Sequence, residues 1–139
     1  MRKRTQAREI ALQVLYQYEM NPGPVRELLD NYWGSNQTAP DEVKQYTEKI
    51  VQGTIEHLKE LDELITKAAQ NWDLVRMAVI DRNILRFAVF ELLFVEEVPP
   101  KVTINEAVNI AKRFSQEESG KFVNGVLDLI NHTEKPRYA

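Results

Sequence analysis

One stretch in the middle of the chain decides the fold: residues 80–94, with the sequence IDRNILRFAVFELLF. It contains neither Gly nor Pro, and its apolar residues spread round almost the whole circumference of a helix. An ordinary surface helix has one apolar stripe, so we predict a central helix around which other helices pack. Charged residues interrupt the apolar positions at Asp81, Arg82, Arg86 and Glu91. Charges in a buried helix must be paired or must face a functional surface.

Six further helices are predicted from apolar residues that recur at helical spacing, with Pro and Gly between them. They cover about residues 3–20, 25–32, 41–58, 61–69, 106–114 and 121–132. Thr103 and Glu106 have the spacing of a capping box at the start of the sixth helix in chain order. Gly125 lies inside the last helix, where we expect it to allow a close helix crossing.

No strand pair or hairpin pattern is found. The chain is therefore predicted to be all-α, with about seven helices in two bundle-like halves, residues 1–71 and 72–139. The halves meet near residues 72–80, where Trp72 is expected to anchor the connection.

Composition indicates a globular protein, since 43% of the 139 residues are hydrophobic and 28% are charged. There is no Cys, which excludes a disulfide scaffold and a Cys-ligated metal site and favours a reducing, cytoplasmic setting. No apolar run is long enough to span a bilayer. The start of the chain lacks the apolar core of a signal peptide. We expect no membrane segment and no targeting segment.

Charge is distributed unevenly along the chain, whose net charge is −3. The first eight residues contain no acid and four basic side chains, called here the basic arm: Arg2, Lys3, Arg4 and Arg8. The rest of the chain carries −7, since it holds all 21 acidic side chains and the other basic ones. A basic arm on an acidic body is typical of a nucleic-acid contact. The alternative is a solvated terminus without a function.

Enzyme signatures are absent: there is no GxGxxG, no GxxxxGK[ST] and no HExxH. The only two histidines, His57 and His132, are predicted near helix ends and have neither Cys nor another His close by. We therefore predict no catalytic residue, no metal site and no cofactor.

Aromatic residues lie beside polar ones at three positions outside the central helix. Phe114 ends one predicted helix, Phe122 follows Lys121 and precedes Asn124 by two residues, and Tyr16 lies off the main apolar face of the first helix. Such rings can stack unpaired bases, which contributes roughly 1–3 kcal/mol per base. The alternatives are that both Phe residues belong to the core and that Tyr16 lies at its rim.

Asp81 and Arg86 are five residues apart on the central helix and so are not ideal partners for each other. Two interpretations stay open. Each side chain pairs with another helix, or both protrude beside the basic arm at a functional surface.

Four blocks together resemble the NusB family of bacterial transcription antitermination factors. They are AREIALQVLYQ at 7–17, DRNILRFAVFEL at 81–92, INEAVNIAKRF at 104–114 and KFVNGVLD at 121–128. The resemblance covers essentially the full length and implies two perpendicular helical bundles. A related module precedes the catalytic domain of some RNA cytosine methyltransferases, and we expect no such domain here.

The resemblance also implies a function without catalysis. Proteins of this family bind the boxA element of nascent RNA together with NusE, a small-subunit ribosomal protein, and join the elongating RNA polymerase. Termination is then suppressed, chiefly on ribosomal RNA operons. Some relatives self-associate through the same surface, so a homodimer would have to open first. The alternative is a protein–protein adaptor or homodimeric scaffold without RNA specificity of its own.

Site residues follow from the resemblance position by position. The residues implied in RNA binding are Arg2, Lys3, Arg4 and Arg8 in the basic arm, the aromatic residues Tyr16, Phe114 and Phe122, the pair Asp81 and Arg86, and Glu118, Lys121 and Asn124 around the last helix start. The ribosomal protein is expected on the face between the central helix and the first bundle.

Overall fold

The computed structural model describes residues 2–35, 38–70 and 72–138, without the side chain of Arg2. Seven α-helices lie in these ranges: α1 (Arg2–Met20), α2 (Val25–Ser35), α3 (Asp41–Glu56), α4 (Leu58–Ala68), α5 (Val79–Phe94), α6 (Pro100–Phe114) and α7 (Glu117–Thr133). A single 3-10 turn, Leu74–Arg76, precedes α5, and no strand occurs in the described residues. The predicted all-α class is confirmed.

Helix α5 is the central helix that its apolar circumference predicts. It packs against α1, α3, α4, α6 and α7. Its apolar side chains are buried on every side: Ile84, Leu85, Phe87, Ala88, Val89, Phe90, Leu92 and Leu93. Helix α4 packs mainly against α5 and α7, which come later in the chain. The division at residues 71 and 72 stays a prediction. None of the described helices is both long and apolar enough to cross a membrane.

The Glu91 carboxylate is fully buried inside this packing and is held by donors from three other helices. Arg8 of α1 donates to both carboxylate oxygens, each at 2.9 Å. The Tyr46 hydroxyl of α3 donates at 2.7 Å, and the Thr103 hydroxyl of α6 donates at 2.6 Å. A two-pronged contact between Arg and carboxylate is among the strong hydrogen-bonding arrangements in proteins. We call these four residues the Glu91 network.

Electrostatics within the Glu91 network match its geometry. Burial opposes the charge of Arg8, but the hydrogen bond and the negative charge of Glu91 outweigh it, so the pKa of the guanidinium is raised. Arg8 also donates to Glu106 of α6 at 2.9 Å. Burial raises the pKa of the Tyr46 hydroxyl, and the adjacent Glu91 charge raises it further. The hydroxyl therefore stays protonated and serves as a donor at neutral pH.

The starts of α6 and α7 differ most from the predictions. Helix α6 begins at Pro100, which needs no N–H partner in a first turn. Thr103 is thus inside the helix, and its hydroxyl donates to Glu91 instead of capping. The capping-box prediction is wrong because a buried carboxylate takes the hydroxyl. Helix α7 begins at Glu117, four residues before the predicted start, with Glu117 and Glu118 in its first turn, where the helix dipole favours acids.

The close helix crossing lies at Gly53, not at Gly125. A Cβ atom added at Gly53 would lie 2.0 Å from Cζ of Phe90, so α3 and α5 approach each other here. Nothing lies within 4 Å of the corresponding position at Gly125, which is exposed. The prediction for Gly125 is wrong because this position faces solvent.

Replacing Glu91 by Gln should lower the free energy of unfolding by about 3 kcal/mol, because it leaves the buried Arg8 with an incomplete partner. Urea denaturation measures the change. Glu97→Gln is the control, since Glu97 forms exposed ion pairs with Arg4 and Lys49 and such pairs contribute about 0–1 kcal/mol. Equal, small effects of both variants would contradict the central role of Glu91.

Ala substitutions at the two glycines should have opposite effects. Gly53→Ala forces the Phe90 ring to move and should destabilise by about 1–3 kcal/mol. Gly125→Ala should stabilise by about 1 kcal/mol, because Ala is the better helix former at an exposed position. Thermal unfolding of both variants measures the difference, and a stabilised Gly53→Ala protein would rule out the close crossing.

Candidate RNA and protein interface

The basic arm and Tyr16 lie towards opposite ends of α1. Arg4 and Tyr16 are twelve residues apart in one helix, which corresponds to about 18 Å. Asp81 likewise lies ten residues from Glu91 in α5, or about 15 Å from the helix turn that contacts Arg8. The interpretation in which Asp81 and Arg86 protrude beside the basic arm is therefore wrong.

Arg8 does not belong to the exposed part of the basic arm. Its side chain is 1% exposed, and its donors are used by Glu91 and Glu106. The predicted RNA contact is wrong for this residue, because position 8 lies on the face of α1 that packs against α5, where the buried Glu91 needs a cation. The sequence does not show which face of a helix a cationic residue near the helix start occupies.

The other arm cations are accessible. Lys3 lies 3.5 Å from Glu42, and Arg4 lies 3.6 Å from Glu97. The Arg4 guanidinium also lies 4.3 Å from the centre of the Tyr46 ring. Exposed ion pairs of this kind contribute only about 0–1 kcal/mol, so phosphate groups can compete for these cations. The side chain of Arg2 lies outside the described part of the chain.

Arg86 joins helices inside the molecule. It donates to both carboxylate oxygens of Asp62 on α4, at 2.8 and 3.0 Å, and to Glu19 on α1 at 2.8 Å. Arg82 also pairs with Glu19, and this hydrogen bond holds the pKa of Glu19 below its usual range against the opposing effect of burial. With its side chain only 13% exposed, Arg86 does not form a free RNA contact. The prediction of such a contact is wrong, and the alternative of pairing with other helices is confirmed.

Asp81 is also buried, but it keeps one hydrogen-bond acceptor unused. Its Oδ2 accepts from the Ser119 hydroxyl in the first turn of α7 at 3.0 Å. Its Oδ1 has no hydrogen-bond partner among the described residues. A buried acceptor without a partner costs about 1–3 kcal/mol. Asp81 therefore attaches the start of α5 to the start of α7, and one of its oxygens lacks a donor.

Tyr16 and Phe114 line an open groove between α1, the start of α5 and the end of α6. The groove has a volume of about 550 Å³, and its floor includes Leu12, Val79 and Ile80. Tyr16 and Phe114 are 44% and 43% exposed, so Phe114 is not a core residue. We call this feature the apolar groove.

An ion pair lies beside the apolar groove. Arg113 of α6 pairs with Glu9 of α1, and its guanidinium lies 5.7 Å from the centre of the Phe114 ring. The last turn of α6, which carries Phe114, is therefore attached to α1.

The first turns of α7 present polar residues to solvent. Glu118, Lys121 and Asn124 are exposed, whereas Phe122 is half-buried. The Phe122 ring packs against the core and against Trp72, with the two ring centres 6.4 Å apart.

Trp72 is a surface residue that the sequence did not mark as functional, since a lone Trp in a connection looks like an anchor. Among the described residues, no three His, Asp or Glu side chains are grouped as a metal site requires.

The chain is similar in sequence to known proteins over most of its length. Residues 5–132 match the model of the NusB family. The transcription antitermination proteins NusB of Chloroherpeton thalassium and Myxococcus xanthus are 45% and 46% identical to the chain, over 96% and 94% of its length. The chain spans 64% of the first of these relatives and 95% of the second.

Solved structures show the same fold. NusB of T. maritima superposes with a TM-score of 0.85 and 36% identity, covering 99% of this chain and 95% of that one. The structure of antitermination factors NusB and NusE in complex with dsRNA contains a chain with a TM-score of 0.86 and 30% identity, covering 96% of this chain and 99% of that one. The family match over most of the sequence and the shared helical architecture lead to one conclusion: the chain belongs to the NusB family.

Proposed function

We propose that this protein is a transcription antitermination factor. It binds boxA RNA together with the ribosomal protein NusE and joins the RNA polymerase elongation complex in the cytoplasm, chiefly on ribosomal RNA operons. Relatives at 45% identity are named transcription antitermination proteins, and a related chain has been solved with NusE and RNA. The role is one of binding, without catalysis.

One observation carries the proposal: aromatic rings that the core does not bury lie near exposed polar residues where α6 and α7 meet. Phe114 is 43% exposed at the end of α6. Phe122 lies in α7 between Lys121 and Asn124, both exposed. Rings bind unpaired bases by stacking, cations bind phosphates, and amides bind base edges. This combination fits single-stranded RNA better than it fits a small molecule.

Glu118 adds an acceptor to the same surface. It is exposed one turn before Phe122, and its carboxylate can accept from an amino group of a base. Asp81 is buried beneath this surface and positions the start of α7 through the Ser119 contact.

The basic arm is a second, electrostatic contact. Arg4 lies about 18 Å from Tyr16 along α1, so RNA that contacts both residues must run along this helix. Phosphate contacts of this kind raise affinity for every sequence and add no base discrimination. Base preference is then a property of the α6–α7 junction.

The side of the apolar groove formed by α1 and α5 is the proposed NusE contact, whereas Phe114 on its α6 side is assigned to RNA. Leu12, Val79 and Ile80 line this side together with the glutamines at positions 13 and 17. A partly apolar surface with a polar rim is typical of a protein interface. The alternative function, a protein–protein adaptor without RNA specificity, would use the same groove, and RNA titrations separate the two.

For the RNA contact, four cations are proposed to meet phosphates: Arg2, Lys3, Arg4 and Lys121. The logarithm of the binding constant for boxA RNA should then fall with a slope of about −3 against the logarithm of salt concentration, since each contact contributes about −0.7. Lys3→Ala should reduce the slope by about 0.7 for boxA and scrambled RNA alike. Anisotropy titrations at several salt concentrations measure it.

Lys59→Ala is the matched control for this titration, because Lys59 is equally exposed but lies at the start of α4. It should leave the slope unchanged. If boxA RNA binds no better than scrambled RNA, even with NusE present, the adaptor function is correct and the proposed function fails.

For the protein contact, Ile80→Ser should weaken NusE binding at least fivefold, because a central apolar contact contributes more than about 1 kcal/mol. RNA binding measured without NusE should be unchanged. Leu129→Ser is the control, since Leu129 is 43% exposed near the far end of α7. Calorimetric titration with NusE gives the affinities, and equal values for both variants would place the partner elsewhere.

A further inference from the structure

Trp72 is a large aromatic side chain that the fold leaves uncovered. It is 54% exposed, and Val75 in the following 3-10 turn is 79% exposed. Single exposed apolar residues are ordinary, but adjacent ones on a fixed segment indicate an interaction surface. Neither residue is needed to complete the core.

Hydrogen bonds hold the connection that carries Trp72 in one conformation. The Trp72 N–H donates to the Ala69 carbonyl at 3.1 Å, and the Val75 N–H donates to the Asp73 carboxylate at 3.3 Å. Arg82 donates to the carbonyls of Leu74 and Met77 at 3.2 and 2.9 Å. Arg82 is itself paired with Glu19 of α1. The Trp72 ring is therefore presented by an ordered segment, which reduces the entropy lost on binding.

The Trp72 ring lies beside the Phe122 ring of α7, and we call these two rings the aromatic surface. Its centre lies 6.4 Å from the centre of the Phe122 ring, and the two planes are inclined by 55°. One side of Trp72 is thus used by Phe122, while more than half of its surface remains accessible. Two neighbouring rings on adjacent segments can each stack one of two successive bases.

Two cations near the rings are available for phosphate contacts. Arg76 and Lys121 are exposed, and neither forms an ion pair with another described residue. Of the nearby acids, Asp73 accepts a backbone N–H, and Glu118 lies one helix turn before Phe122. Arg binds phosphate with a planar fork of donors. Stacking rings flanked by available cations match single-stranded RNA.

We propose that Trp72 stacks an unpaired RNA base next to the base on Phe122, and that Arg76 contacts a phosphate of the same strand. The RNA surface thereby extends from α7 onto the connection between α4 and α5. This inference rests on the proposed function, because it requires that RNA binds at Phe122.

Tryptophan fluorescence tests the contact directly. The chain has two tryptophans, and Trp33 is buried and donates to Glu48 at 2.8 Å. In Trp33→Phe, the emission therefore comes from Trp72 alone and should be quenched by boxA RNA in a saturable way. In Trp72→Phe, the remaining emission from Trp33 should not change.

Affinity measurements provide the second readout, with labelled boxA RNA and anisotropy. Trp72→Ala should weaken binding roughly fivefold to a hundredfold, the range expected for one stacked base, and Trp72→Phe should restore most of it. Arg76→Ala should reduce the salt slope by about 0.7. Leu129→Ala is the control for a lost exposed apolar side chain. Circular dichroism confirms that each variant is folded.

The outcomes separate this inference from the proposed function. If wild-type protein binds boxA RNA but Trp72→Ala binds equally well and the Trp72 emission is unchanged, the inference is wrong and the function stands. If Trp72→Ala loses affinity for NusE and not for RNA, the surface is a protein contact and the inference is wrong. If the wild-type protein does not bind RNA, both fail.

Discussion

Four of the seven described helices pack around one buried carboxylate. Glu91 is fully enclosed, and its ion pair with Arg8 forms where α1, α3, α5 and α6 meet. Moving a carboxylate out of water costs several kcal/mol, so the site is stable only when every donor is in place. The Glu91 network therefore restricts how these four helices can pack, in rotation and in register. An apolar contact, being non-directional, could not impose this restriction.

Ion pairs inside the molecule determine which cations remain accessible. Arg8, Arg82 and Arg86 are all used inside the molecule, by Glu91, Glu19 and Asp62. These pairs join α1, α4 and α5, so their removal would leave unpaired charges in poorly solvated positions. Lys3 and Arg4 at the start of α1 and Lys121 in α7 are among the cations that stay accessible. Arg4 and Arg8 therefore differ in accessibility, although they are neighbours in sequence.

Helix α5 links the Glu91 network to the surface at the start of α7. Its C-terminal half carries Glu91 and is enclosed, and its first turn places Asp81 beneath the start of α7 through Ser119. The ends of α1, α5, α6 and α7 then surround the apolar groove and the aromatic surface. Loop conformation has little part in this, because α6 and α7 are separated only by residues 115 and 116. A surface built from helix ends is rigid, as the proposed recognition by stacking requires.

The sequence by itself determined the all-α class, the centrality of α5, and the exposed residues Lys121, Asn124 and Tyr16, because periodicity and composition are local properties that a helix preserves. It also supplied the family, through blocks at fixed spacing. Only the tertiary structure decided the partners of each charge. Arg8 and Arg4 are four residues apart on one helix, yet one is 1% exposed and the other is accessible. Likewise, Thr103 has the spacing of a helix cap, but its hydroxyl donates to Glu91. Trp72 looks like an anchor but lies at the surface. Each of these outcomes depends on which helix packs opposite, and contacts between residues distant in the chain leave no trace in the local pattern of one sequence.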